Sequence, residues 1–466
     1  MNTSQTGRLY IRGAFSVSAC VALALGVAAC GGGGGGGNGP GSKTLDLVIG
    51  NSLPLSGGSK AVGDSGQKAS AVAVEEIRRA IEAAGADHTI RVVQQDQGSD
   101  TDSAVDSAEK LVNGDRASCL TGPWSPDAVA QTAHDITIPA KVLEISPVPT
   151  GQDVAELSDH DLVDSTALPD SLEGSALSKA IDRDLGGTQG YTVNVAASND
   201  SYGDSITQDF IEAWQGDDGT VGAQVVLAPP PLSTSSTYSR SSGDSTTTGG
   251  YSGTSSSAYS AQAEQITTGS PDAVLIVDDL TGFSQIAPAL STSYGWDPPT
   301  SWGSDQLVSP GLTEQVGAEA VAGMRALAPG APNDEEASSA FVQAFKSADP
   351  HDVMLEPFAA QEFDATVLCY LAAVAAGSTD GQQMADELID ITAPGGDEYS
   401  WQQLPDAIEA LEDGKDIDYT GASGPIDMDV HGDPSSGVYD VYQYKPAGGL
   451  EVVGEVSVSK PNPATP

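Results

Sequence analysis

The chain has 466 residues, of which 19 are Lys or Arg and 65 are Asp or Glu, and its formal net charge is -46. This charge excludes a nucleic-acid-binding protein, because a phosphate backbone is bound by clustered basic side chains. The acidic residues are scattered along the chain, which indicates a solvated surface and not an acidic tail. The length exceeds what one hydrophobic core normally serves, so we expect two domains.

The N-terminus predicts a lipoprotein signal peptide over residues 1–29. Arg8 and Arg12 form a short basic region, an apolar run follows at 14–27, and residues 27–30 have the sequence Val-Ala-Ala-Cys. Small residues before a cysteine at the end of such a run are typical of lipoprotein cleavage. The run is too short for a transmembrane helix, which needs about 20 apolar residues. We therefore expect an extracytoplasmic protein, anchored to the cell membrane by lipidated Cys30.

Residues 30–43 predict a flexible tether, because seven consecutive glycines follow Cys30. A phosphate-binding glycine loop would have to follow a strand and open a helix. This stretch instead precedes the first strand pattern of the chain.

From residue 44 the strand and helix patterns alternate as in parallel sheets with crossover helices. The first series predicts strands at 45–49, 90–93, 117–121 and 142–146, with helices at 63–84, 101–112 and from 126. The second predicts helices at 171–185, around 206–214 and at 258–268, with strands at 193–197, 223–227 and 273–277. The last elements are helices at 334–348, 362–376 and 382–391 and strands at 438–444 and 450–458. The pattern predicts two similar α/β lobes.

Residues 229–257 interrupt the second series with three prolines followed by Ser, Thr, Gly and Tyr. Such a composition cannot bury enough apolar surface to offset the entropy of ordering. We predict a disordered loop inserted in the second lobe.

Seven segments, taken in order, resemble type I periplasmic binding proteins of the branched-chain amino acid and amide group, which are the substrate-binding proteins of ABC transporters, here in lipoprotein form. The segments are residues 49–57 (IGNSLPLSG), 121–125 (TGPWS), 145–150 (ISPVPT), 199–204 (NDSYGD), 271–274 (PDAV), 302–305 (WGSD) and 421–429 (GASGPIDMD). The resemblance covers nearly everything from residue 44 to about residue 458, apart from the insertion.

This resemblance implies two Rossmann-like lobes with parallel-type central sheets, joined by three hinge crossovers. We place the crossovers near residues 166–169, 326–330 and 424–437. Lobe 1 then comprises residues 44–168 and 328–424, lobe 2 comprises 169–327 and 425–458, and 459–466 form a tail. Strands that cross between two lobes can act as a hinge.

The resemblance also implies where the ligand carboxylate binds. Ser125 and Thr150, with the backbone of Val148, are expected to hold it, because hydroxyls and backbone N–H groups at strand ends suit an anion. The alternative is that both hydroxyls merely cap helices or turns. Ser146 is expected to be a turn residue.

In the second lobe, Asp305 matches the acidic position that binds the ligand ammonium, and Tyr202 matches an aromatic that lines the cleft. Asp305 as a solvated turn acid and Tyr202 as a packed helix residue are the alternatives. Trp124 either forms one wall of the cleft or fills the lobe edge, and Phe283 either lines the pocket or packs. Val62 stands where amino-acid binders commonly place an aromatic, which leaves the pocket for the ligand side chain open.

Two cysteines remain once Cys20 leaves with the signal peptide and Cys30 is acylated. Cys119 and Cys369 form either one disulfide, which is allowed outside the cytoplasm, or two buried thiols. No zinc motif, phosphate loop or nucleophile elbow is present in the sequence, so we expect no enzyme, cofactor or metal. Residues 427–433 resemble half a calcium loop, but the position of its final glutamate is Val438, which favours a turn.

The sequence thus predicts a monomer that captures an extracytoplasmic solute by hinge closure and delivers it to an ABC permease. The solute is expected to be an amino acid, an amide or a related carboxylate. Two alternatives stay open: a ligand sensor for a membrane signalling partner, and a structural cell-surface lipoprotein with a decayed site.

Overall fold

The computed structural model describes residues 44–149, 154, 157–227, 259–293, 295–330, 336–348 and 355–460. The signal peptide, Cys30, the tether, the insertion at 229–257, Thr150 and most of the tail lie outside the described residues. Within the described ranges no helix is long and apolar enough to cross a membrane.

The described residues form fifteen strands. In chain order they are β1 Leu45–Leu53, β2 His88–Asp96, β3 Cys119–Thr121, β4 Leu143–Ser146, β5 Val163–Ser165, β6 Thr192–Ser198, β7 Thr220–Leu227, β8 Ala273–Val277, β9 Ser301–Gly303, β10 Arg325–Pro329, β11 Asp397–Ser400, β12 Ile417–Gly421, β13 Gly424–Pro425, β14 Ser436–Tyr444 and β15 Leu450–Ser459.

Helices connect most of these strands. They are α1 Lys60–Ala84, α2 Thr101–Glu109, α3 Pro126–Thr132, α4 Ile138–Ala140, α5 Asp170–Leu185, α6 Ser201–Gly216, α7 Ser260–Ile266, α8 Leu280–Leu290, α9 Pro310–Val316, α10 Ala318–Val321, α11 Glu336–Ala348, α12 Ala359–Ala376, α13 Gly381–Thr392 and α14 Leu404–Glu412. Gly85 follows the last residue of α1 and terminates the helix, because its φ of 68° is the left-handed conformation that favours glycine.

The first sheet has the order β2-β1-β3-β4-β5 and is parallel throughout. The second has the order β15-β14-β10-β9-β8-β6-β7, in which β14 and β15 are antiparallel additions to a parallel sheet. Parallel strands are covered by helices on both faces, which explains their continuous apolar runs. Both sheets belong to one compact unit.

The chain passes between the two halves three times. It leaves the first sheet after β5, and β6 to β10 then build the second sheet. Helices α11 and α12 return to the first core, where Phe341, Phe345 and Phe363 pack with Leu47. After β13 the chain goes back to the second sheet as β14. Strand β10 pairs with β14 as far as Pro329, two residues beyond the expected boundary at 327.

A third, three-stranded sheet of β11, β12 and β13 was not predicted. It is fastened to α12 by Asp364, whose carboxylate accepts hydrogen bonds from the N–H of Ala422 (2.7 Å), the N–H of Ser423 (2.8 Å) and the hydroxyl of Tyr419 (3.1 Å). These bonds explain how an ionisable side chain is accommodated in a buried position.

Cys119 of β3 and Cys369 of α12 form a disulfide, with an S–S distance of 1.95 Å. Both residues are fully buried in the first core. The bond links two elements 250 residues apart in sequence, within the same half of the molecule.

Candidate functional site

A cavity of about 350 Å³ lies between the carboxyl ends of the strands of the two sheets. From the first sheet it is lined by residues that follow β1, β2, β3 and β4, namely Pro54, Gln97, Trp124, Ser125 and Val148. From the second it is lined by residues that follow β6, β8 and β9, namely Asp200, Tyr202, Asp279 and Asp305. Ligands of open α/β sheets bind at this end of the strands. The two sides also meet directly, because the hydroxyl of Ser201 donates to Asp127 at 3.4 Å.

Trp124 lies on the cavity, and its ring is held from two directions. It packs against Gly66 of α1, where an added Cβ would come within 2.3 Å of the ring. Phe358 packs edge-on against it, with the ring centroids 6.4 Å apart. Val62, where an aromatic was expected, also lines the cavity. The aromatic wall is therefore supplied by Trp124 and Phe358.

Ser125 is the residue that precedes α3, and its backbone is extended, with φ -156° and ψ 145°. Its hydroxyl makes no cap hydrogen bond to the helix, although it occupies the cap position. The alternative role as a helix cap is therefore wrong. The hydroxyl is available to a ligand in the cavity that Ser125 lines.

Val148 also lines the cavity, but its backbone is engaged within the turn. Its N–H donates to the hydroxyl of Ser146 at 3.2 Å, and its carbonyl accepts from Ser146 and Ser165 at 2.9 and 3.0 Å. That the Val148 backbone binds the ligand carboxylate stays a prediction, and its N–H already has Ser146 as a partner. Ser146 was expected to be a turn residue, but it is the last residue of β4, and its hydroxyl bonds to the segment that follows the strand.

Asp305 and Tyr202 form the opposite wall. The Tyr202 hydroxyl donates to Asp305 Oδ1 at 2.6 Å, and both side chains are nearly fully buried, at 3% and 5% exposure. Asp305 is thus not a solvated turn acid. Burial raises the pKa of the Asp305 carboxyl to about 6, while donation by Tyr202 opposes that rise. At neutral pH this wall presents a carboxylate that accepts from the Tyr202 hydroxyl and from the backbone N–H of Gln306.

Two further acids lie behind Asp305. Glu173 of α5 accepts the N–H of Asp305 at 2.8 Å, and Asp170 lies one turn earlier in the same helix. Both are fully buried. Burial raises the pKa of Glu173 and that of Asp170 well above their usual values, and the charge of Asp305 adds to the rise.

Phe283 does not line the cavity. Its ring is fully buried in a core of the second half, among residues that include Ile276, Leu290 and Leu312. The expectation that it lines the pocket is corrected, because α8 turns this residue toward the sheet.

Several residues on the cavity were not predicted, among them Gln97, Asp200, Thr281, Gln306 and Phe358. Gln97 has a defined role, because its side-chain oxygen accepts the N–H of Trp124 at 3.0 Å. Gln97, Asp200 and Gln306 lie within three residues of a strand end, which is a sequence signal that could have found them. No cluster of three or more His, Cys, Asp or Glu able to hold a metal occurs in the part of the chain that the structure describes.

Two α/β halves, three crossings between them and a cavity lined from both define a two-lobed protein that binds small molecules. The chain belongs to the periplasmic binding protein family, which it matches over residues 46–449. This agrees with the resemblance inferred from the seven segments.

Solved structures with the same fold include branched-chain amino acid binders and other solute-binding proteins. LivJ of Streptococcus pneumoniae, in complex with isoleucine, is 20% identical, with a TM-score of 0.63 and coverage of 89% of this chain and 99% of that one. The leucine-binding protein LivK of Thermotoga maritima is 20% identical, with a TM-score of 0.61 and coverage of 88% and 98%. A solute-binding protein of an ABC transporter from R. palustris, in complex with benzoate, is 17% identical, with a TM-score of 0.58 and coverage of 89% and 98%. No curated protein matches the chain.

Proposed function

We propose that this chain is the extracytoplasmic substrate-binding protein of an ABC importer and that it captures a small polar solute. One observation carries the proposal: the cavity is lined by residues of both halves. A ligand then makes its full set of contacts only when the halves are together, so binding shifts a hinge equilibrium toward the closed form. The crossings between the halves are where such a hinge would bend.

The cavity volume favours a small solute. Small-molecule pockets span about 300–1,000 Å³, and about 350 Å³ is at the lower end of that range. An amino acid, an amide or a related small carboxylate suits this volume.

The polar groups favour a ligand with an ammonium and an oxygen-bearing group. Asp305 is the carboxylate for the ammonium, and Tyr202 holds it in place. The unengaged hydroxyl of Ser125 suits a carboxylate or amide oxygen, with Thr150 as its proposed second donor. Isoleucine in LivJ carries both kinds of group, and benzoate in the R. palustris protein carries the carboxylate.

We further propose that the protein is exported, lipidated at Cys30 and monomeric, and that its partner is a membrane permease. Metabolic labelling with a palmitate analogue should mark the wild type and not a Cys30→Ser variant. Labelling that is equal in both proteins would contradict the anchor.

A thermal-shift screen with amino acids, amides, urea and short carboxylates tests the proposal on the full chain. A ligand at about a hundred times its dissociation constant should add about 2.7 kcal/mol to the free energy of unfolding. Asp305→Asn should weaken amine ligands, whereas Asp390→Asn, an exposed acid of α13, is the matched control.

The outcomes separate the alternatives. Tight binding together with loss of uptake of that solute in a deletion strain supports import. Tight binding with unchanged uptake favours a sensor. No stabilising ligand across the panel favours a structural lipoprotein and contradicts the proposal.

A further inference from the structure

The charges around the cavity point to the kind of solute. Five aspartates line it: Asp100, Asp127, Asp200, Asp279 and Asp305. None of the described residues that line it is a Lys, Arg or His. Lys60, at the start of α1, is paired with Asp64 at 2.5 Å.

The helix ends that face the cavity strengthen this asymmetry. The N-terminus of a helix usually attracts anions. Here three of them are already capped by the chain's own carboxylates: Asp100 accepts the N–H of Ser103, Asp200 that of Gly203, and Asp279 that of Gly282, at 2.9, 2.8 and 2.6 Å. An anionic solute would therefore meet fixed negative charges at these positions.

The deepest acid has no basic partner in the described structure. Asp305 accepts only from hydrogen-bond donors such as Tyr202, and the residues behind it are acids. A buried carboxylate is costly without a counter-charge. A cation in the cavity would supply that charge.

The apolar walls are compatible with the same solute. Trp124 and Phe358, the edge-to-face pair of the first half, line the cavity together with Tyr202 of the second. Aromatic faces attract organic cations through the negative potential of their rings.

We infer that the cavity selects solutes that carry a net positive charge, namely organic ammonium ions, over zwitterions and carboxylic acids of the same shape. The inference rests on the proposed function, solute capture, and ranks organic ammonium ions above the amino acids and carboxylates of its broader substrate class.

Two sets of shape-matched probes test the inference by titration calorimetry on the full chain. One set is 3-methylbutylamine, L-leucine and 4-methylpentanoate, and the other is phenethylamine, L-phenylalanine and 3-phenylpropionate. Choline and putrescine are added as further cations. Within each set the amine should bind tightest, about tenfold more tightly than the carboxylate. Raising the salt concentration from about 0.05 to about 0.5 M should weaken binding of the amine, because salt screens the attraction between charges.

Two variants test whether the aspartate charges cause the preference for amines. Asp305→Asn should weaken the amines about tenfold. Asp279→Asn keeps the helix cap, because Asn also caps well, and removes only the charge. It should weaken the amines severalfold, leave the carboxylates unchanged or tighter, and remain measurable if Asp305→Asn does not fold. Asp390→Asn should change neither the affinity for amines nor the affinity for carboxylates.

The failures are distinguishable. If the carboxylates bind as tightly as the amines, or if Asp279→Asn weakens both equally, the charge selectivity is refuted and solute capture stands. If none of the eight probes binds, the selectivity for organic ammonium ions is refuted, and the thermal-shift panel alone decides solute capture.

Discussion

Replacing Gly66 by Ala tests whether this glycine fixes the aromatic wall of the cavity. An added Cβ would lie 2.3 and 2.5 Å from two ring carbons of Trp124 and 3.2 Å from Leu53. Carbon atoms in contact are normally about 3.5–4.0 Å apart, so the ring must retreat by about 1 Å. Phe358 packs on the same ring and limits where it can go.

The expected effect on stability is the sum of two opposing contributions. Gly to Ala inside a helix normally stabilises by about 0.8–1.0 kcal/mol. Overpacking costs about 1–3 kcal/mol. We therefore expect the free energy of unfolding to fall by up to about 2 kcal/mol. Ligand affinity should fall about tenfold, because the displaced ring enters the cavity or leaves its wall.

Denaturant unfolding and calorimetry with a bound ligand measure the two effects. Gly216→Ala is the control, because its Cβ would meet no atom within 4 Å. In a Trp124→Leu background, Gly66→Ala should cost little or no stability, since the ring that the added Cβ meets is gone. The packing argument is refuted if Gly66→Ala gains stability as Gly216→Ala does and binds its ligand unchanged.

Four further predictions concern covalent and ionisable groups. Reducing the Cys119–Cys369 disulfide should lower the free energy of unfolding by about 2–5 kcal/mol, and an unchanged thermal melt would contradict this. Burial raises the pKa of Glu144 from 4.5 to about 8, so the folded chain binds a proton there that the unfolded chain releases. Stability should therefore decline as the pH rises from 4.5 to about 8, and Glu144→Gln should make the decline shallower in melts across pH. Because the Asp305 pKa is about 6, affinity for an amine should rise as the pH rises through 6, and a flat calorimetric profile would count against its role. Tyr202→Phe removes a donor that lowers this pKa and should move the profile to higher pH.

The sequence predicted the alternating strands and helices well where burial gives them a strong pattern. Strands β1, β6 and β8 are apolar because helices cover both faces of their sheets, and α1 carries its apolar residues on one face. It missed β5, β9, β10, β11, β12 and β13, which have two to five residues each. Such short strands carry no periodicity, because their pairing depends on distant partners.

Part of the candidate site was also predictable. Trp124 and Ser125 follow a strand, and parallel strands bring their carboxyl ends to one edge, so their neighbourhood follows from chain order. The hydrogen bond from the Val148 N–H to Ser146 could not be predicted from chain order, because it depends on a local turn geometry. Phe283 shows the same limit, since the helix face that meets the core is set by the elements packed on it.

By itself the sequence determined the α/β class, the two-lobed organisation and which strand ends carry the polar residues, because these follow from local patterns of burial along the chain. Only the tertiary structure decided the charge environment. Glu173 lies 132 residues before Asp305 and touches its backbone, and Phe358 reaches Trp124 from the far side of the second crossing. Contacts between residues so distant in sequence leave no local pattern, and the pKa of a buried carboxyl is set by those contacts.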